Sequence, residues 1–135
     1  VLAYKYVEDS LTIFRKGNSA FETLKEMFEY EFETVLNHET LYYLYLKYPG
    51  KFQTADQILN KILVEYSSTL NILRSEGYLT EALSDQWIDA YLNNMINLGS
   101  KQMQLGIPKE ECLETIWQLF WNGIGKKTKS SLTKD

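Results

Sequence analysis

The stretch Cys112-Leu113-Glu114-Thr115-Ile116-Trp117-Gln118-Leu119-Phe120-Trp121 decides the fold. Leu113, Ile116, Trp117 and Phe120 recur at three-and-four spacing, which marks a helix with an apolar stripe. Trp121, Leu119 and Cys112 carry that stripe well round the cylinder, further than a single neighbouring helix requires. The preceding segment opens at Ser84-Asp85 and ends at Gly106-Ile107-Pro108; it shares the excess, with Trp87, Ile88, Tyr91 and Met95 on it and Gly99 allowing close approach of helices. A second copy of the same surface is the economical cover, because most soluble oligomers are symmetric and twofold dimers are the commonest.

Upstream of this pair, nearly every signal is helical. Val1 to about Lys16 carries Leu2, Tyr6, Leu11 and Phe14 and stops near Gly17-Asn18. Ser19 and Glu22 form a capping box that opens a second helix. Along it Phe21, Leu24, Met27, Phe28, Phe32, Val35 and Leu36 are the apolar set, with Glu22, Lys25, Glu26, Glu29 and Glu33 largely opposite. Asn37-His38 interrupts the pattern, and a short third helix is expected from Glu39 to Tyr48 before Pro49-Gly50. Thr54 to Gln57 repeats the capping-box pattern and opens a long helix that ends at Gly77. Pro108 suits the first turn of the last helix, where its missing N–H costs nothing. The alternation from Tyr43 to Lys47 has no partner strand. The expectation is an all-α chain of six helices without internal repeat.

Composition narrows the functional classes. At 135 residues the chain suits one domain with a core of its own. Its single cysteine, Cys112, cannot form an intramolecular disulfide, which fits a reducing cytoplasm. No apolar run is long enough to span a membrane and no secretory signal is present. A net charge of −4 with scattered basic residues argues against this segment gripping a nucleic-acid backbone. The basic residues concentrate only at 126–135, which reads as a flexible tail.

The residues for chemistry are scarce. One His and one Cys cannot build the usual zinc or haem sites, and His38 lacks the Glu at three that a di-iron bundle uses. A serine or cysteine triad would have to recruit the same His38, whose place beside Glu39 at a helix break suits local hydrogen bonding. No glycine-rich phosphate loop occurs. The paired Glu29 and Glu33 read as a solvated face. No catalytic residue, metal or cofactor is expected, and the chain is not read as an enzyme.

Aromatic content is the departure from an ordinary domain, with ten Tyr, six Phe and three Trp. Leu41-Tyr42-Tyr43-Leu44-Tyr45-Leu46-Lys47-Tyr48 puts four phenols on a short helix, too many for one buried stripe. Apolar cavities with a few convergent hydroxyls and amides are typical of small-molecule sites, and Tyr supplies both an apolar body and a polar tip. Phe28, Phe32, Tyr42, Tyr45, Tyr66, Tyr91 and Asn94 are therefore the candidate ligand-binding residues. Trp87, Ile88, Met95, Gly99, Trp117, Phe120 and Trp121 are candidates for a dimer interface or for the core, and Tyr91 belongs to either set.

The order and lengths of the helices resemble the C-terminal regulatory domain of the TetR family of bacterial transcriptional repressors. Leu113 to Ile124 is similar to that family's last helix, and Val1 to Glu8 resembles the helix leaving its DNA-binding domain. The resemblance implies a ligand-binding and dimerisation domain over residues 1–125, with the last two helices of each subunit joining in an intersubunit four-helix bundle. It also implies a small, apolar or aromatic ligand among the middle helices, whose binding shifts the first helix and releases operator DNA. The DNA-binding three-helix segment would precede Val1 and is absent from this chain, which opens without Met. A helical adaptor that binds a partner helix in an aromatic groove is the other reading.

Overall fold

The computed structural model describes the backbone of residues 2–47 and 53–125, and the side chains of residues 8–34 and 61–125. Five helices follow one another: α1 (Leu2–Phe14), α2 (Ala20–Lys47), α3 (Gln53–Ser75), α4 (Asp85–Gln104) and α5 (Lys109–Ile124). No strand forms among the described residues; an isolated antiparallel bridge joins Leu79 to Gly125.

The expected six helices are thus five, because the helices placed on either side of Asn37-His38 are one continuous α2. Asn and His are weak helix formers, but each costs only about half a kcal/mol relative to Ala, and neither breaks the backbone as Pro does. A residue pair of that kind punctuates a pattern without stopping a helix. The start of α2 is as expected, with the Ser19 hydroxyl accepting the Glu22 N–H at 3.2 Å. Ser84 caps α4 in the same way, accepting from Trp87 N–H at 3.4 Å. The turn Pro49-Gly50 and the tail at 126–135 lie outside the described residues.

Helices α3 and α4 both end in a left-handed glycine. After α3, Gly77 has φ +83°; Tyr78 N–H donates back to Leu73 C=O and Gly77 N–H to Arg74 C=O. After α4, Gly106 has φ +99°, with the equivalent pair from Ile107 to Gln102 and from Gly106 to Met103. These are Schellman closures, which satisfy carbonyls the helix itself leaves without partners. The second turns the chain back within a few residues, so α4 and α5 pack as an antiparallel hairpin.

Helix α2 is the axis of the packing and contacts each of the other four helices. Leu24, Phe28 and Phe32 form its buried stripe, meeting Leu70 and Leu73 of α3, Ile88, Leu92 and Ile96 of α4, and Ile116, Phe120 and Ile124 of α5. Burying a side chain of this size stabilises by about 1.5–3 kcal/mol. Gly99 sits where α4 passes between its neighbours: a Cβ there would come within 2.8 Å of Ile116 Cδ1 and of Phe32 Cε2. Close approach at Gly99 is therefore made inside the chain's own core.

Two tethers complete the frame. Leu79, fully buried in the α3–α4 connector, pairs with Gly125 beyond α5, and Thr80 N–H donates to Ile124 C=O at 2.9 Å. At the other end, Tyr30 of α2 donates to Asp9 of α1 at 2.9 Å, and Lys16 forms an ion pair with Glu26. Among the described residues no helix is long and apolar enough to cross a membrane.

Candidate functional site

Helical spacing from Leu24 through Phe28 puts position 31 on the buried side of α2, and there the chain carries Glu31. Glu31 is only 9% exposed, an environment that a carboxylate occupies only with partners, and it does have one within the fold. Next to it the core holds Tyr66 of α3, also 9% exposed. The Tyr66 hydroxyl has no hydrogen-bond partner. Burial raises this phenol's pKa far above its ordinary value, and the negative charges of Asp89, Glu31 and Asp85 push the same way, opposed by Arg74. Three carboxylates thus act on one sealed hydroxyl.

The α4 side of the site follows from its first turns. Asp85 and Asp89 lie four apart, hence on one face. Ser67 Oγ donates to Asp85 Oδ2 at 2.6 Å, and Arg74 Nη2 stands 2.5 Å from Asp85 Oδ1. Arg74 also donates to Asn71 Oδ1 and to Leu83 C=O. These contacts tie α3 to the first turn of α4, and Asp89 lies one turn along from Asp85. Asp89 keeps contact with solvent, yet desolvation raises its carboxyl above the ordinary value. Among the described residues no group of three or more His, Cys, Asp or Glu converges closely enough to hold a metal ion.

The residues expected to bind a ligand divide sharply. Phe28, Phe32 and Tyr66 share the buried core. Tyr91 turns to α5, where its hydroxyl donates to Leu119 C=O at 2.9 Å and its ring lies 5.8 Å from Phe120. Asn94 is exposed on the outer side of α4. Tyr42 and Tyr45 lie on α2, with side chains outside the described residues. Glu31, Asp85 and Asp89 were not among the sequence candidates. The signal for Glu31 was its place three residues after Phe28, on the apolar stripe that Glu22, Glu26, Glu29 and Glu33 avoid.

The interface candidates divide as well. Ile88, Gly99, Trp117 and Phe120 are buried within the chain. Trp117 packs edge-on to Phe28 at 5.3 Å and stacks on Trp121 at 5.9 Å, and Phe21 meets Trp121 at 4.9 Å. Much of the apolar excess of α5 is therefore covered by α2, with Cys112 buried as well. Met95 is partly buried against the same core. Trp87 differs from all of these, at 70% exposed. It begins an outward stripe on α4 that continues through Tyr91, Asn94, Leu98 and the exposed Lys101 to Leu105 at helical spacing. The Tyr91–Leu119 hydrogen bond joins that stripe to the exposed Leu119 of α5. Lys101 apart, none of these residues is charged, and neither are the exposed Thr115 and Asn122 beside Leu119 on α5.

A third feature lies on the far side of α3. An open depression is lined there by Leu63, Val64, Ser67, Asn71 and Ile72. No known protein family, curated protein or solved structure matches the chain.

Proposed function

We propose that the chain is the dimerisation and small-molecule-sensing domain of a TetR-like transcriptional repressor. The observation that carries this reading is the exposed apolar residues on the outer face of the α4–α5 hairpin, with Trp87 at 70% and Leu105 at 77% exposed. Protein interfaces are depleted in charge at their centre and enriched in large aromatic residues. Two such hairpins apposed across a twofold axis make the intersubunit four-helix bundle.

Ligand sensing in this reading is linkage between a site among α2, α3 and α4 and the position of α1. Helix α1 is attached to α2 through Tyr30–Asp9 and Lys16–Glu26, and α2 also carries Glu31. A ligand that displaces α2 is thereby communicated to α1, and through it to DNA-reading segments preceding α1. It relieves repression only to the extent that it binds one arrangement of α1 better than the other.

Sedimentation equilibrium tests the interface. The parent chain is expected to be a dimer, and Trp87→Glu or Leu105→Glu to be a monomer with unchanged helical content. A monomeric parent, or a dimer indifferent to both substitutions, overturns the reading. The second reading, a helical adaptor, draws on Leu63, Val64 and Ile72 exposed around the depression on α3. It predicts a monomer that gains stability from a partner peptide.

A further inference from the structure

We infer that α4 pairs antiparallel with the α4 of a second copy, about a twofold axis between Asn94 and Leu98, so that Trp87 meets the partner's Leu105 and Lys101 lies over the ring of the partner's Tyr91. This rests on the dimer reading above and gives that interface its direction and register.

Spacing is the first reason. The outward residues of α4 are Trp87, Tyr91, Asn94, Leu98, Lys101 and Leu105, separated alternately by four positions and by three. That series reads the same from either end. Across a twofold axis, a residue that meets a second is met by that second in turn. Antiparallel copies of this stripe therefore bring every outward position opposite another: Trp87 faces the partner's Leu105, Tyr91 the partner's Lys101 and Asn94 the partner's Leu98. Trp87 and Leu105, the most exposed large apolar side chains of α4 and its cap, lie at opposite ends and cover one another.

Charge selects the direction. The first turn of α4 carries Asp85 and the last carries Lys101, with Asp89 exposed one turn on from Asp85. A parallel pair would set Lys101 against its own copy and the acidic ends side by side. The antiparallel pair sets acidic end against basic end and opposes the two helix dipoles.

Tyr91 supplies the third reason. Its hydroxyl donates to Leu119 C=O, and its ring lies over Gly123, where a Cβ would come within 2.5 Å of the Tyr91 Cε2. The ring is thus fixed between α4 and α5 and remains half-buried. An ammonium group is attracted to the face of such a ring. Lys101, the one charge in the stripe, thereby meets a group of fitting chemistry on the second copy.

The test uses the whole chain. Gln86→Cys and Gln104→Cys alter exposed positions beside Trp87 and Leu105, and a short bis-maleimide reports which of them come together; the parent, with its buried Cys112, gives the background. At about 1.5 Å per residue, antiparallel pairing separates two copies of either position by ~24 Å or more along the helix. A mixture of the two variants is therefore expected to cross-link between subunits, and each variant alone to give no more than a tenth of that yield. Lys101→Glu is expected to raise the dimer Kd tenfold or more in sedimentation equilibrium, with helical content unchanged; a parallel pair would exchange one like-charge contact for another and keep its Kd. Cross-linking of each variant with itself, or in neither arrangement, overturns this pairing and leaves the dimer standing. An unchanged Kd in Lys101→Glu overturns the contact with the partner's Tyr91. A monomeric parent overturns the dimer reading, and this pairing with it.

Discussion

Tyr66 is a residue whose replacement should improve the fold. A buried polar group without a partner costs about 1–3 kcal/mol, and Phe at this position retains the ring without the hydroxyl. Tyr66→Phe is expected to raise unfolding stability by about 1 kcal/mol in urea denaturation; a loss of that size would mean the hydroxyl has a partner. Gly99 runs the other way. Alanine is the better helix former by about 1 kcal/mol, but its Cβ would press on Ile116 and on the fully buried Phe32. Overpacking of a filled core costs about 1–3 kcal/mol. Gly99→Ala should therefore be destabilising by about 1 kcal/mol net in the same denaturation. The sequence showed that Gly99 was a point of close approach, because a lone glycine inside a strong helical pattern has few other uses. It did not show which helix approaches, since that depends on tertiary packing.

At the scale of elements, the latch between α1 and α2 has a pH signature. The Tyr30 hydroxyl has its pKa raised from 10.0 to about 12, chiefly by burial and next by its hydrogen bond to Asp9. A phenol whose folded pKa is raised favours the folded state fully below the unfolded value, and that contribution fades as pH climbs through the interval. Stability should thus fall as pH rises from about 10 to 12. In Tyr30→Phe the same alkaline titration, followed by circular dichroism, should be flatter; an identical slope would detach Tyr30 from it. Helix ends were legible for a local reason. Ser19, Ser84, Gly77 and Gly106 act through hydrogen bonds or dihedrals within a few residues of themselves. The continuity of α2 was not, because Asn37-His38 disfavours helix only weakly and packing on four other helices outweighs it.

For the whole molecule, the amphipathic pattern correctly implied an all-helical chain, and it overstated the apolar excess of α5. Phe21, which heads α2, folds over Trp117 and Trp121 and covers surface that had called for a second chain. Periodicity reports how much of a helix is apolar and not whether the cover comes from the same chain. The excess on α4 survives folding, since Trp87 and Leu105 stay largely exposed. The acidic side of the site was hidden for a related reason. Glu31 differs from Glu26, Glu29 and Glu33 only in register, and the Ser67–Asp85–Arg74 contacts bring together residues distant in sequence.

The bridge from Leu79 to Gly125 makes the second half of the chain topologically closed. Backbone hydrogen bonding ties the end of α5 to the turn that precedes α4, so the hairpin is a loop with fastened ends. Fraying cannot begin at the C-terminus of α5 without first releasing the buried Leu79 and the Thr80 amide. The connector, α4 and α5 accordingly open as a single cooperative unit, whereas α1 packs on α2 and α3, with Ser10 and Ile13 buried, and lies outside that unit.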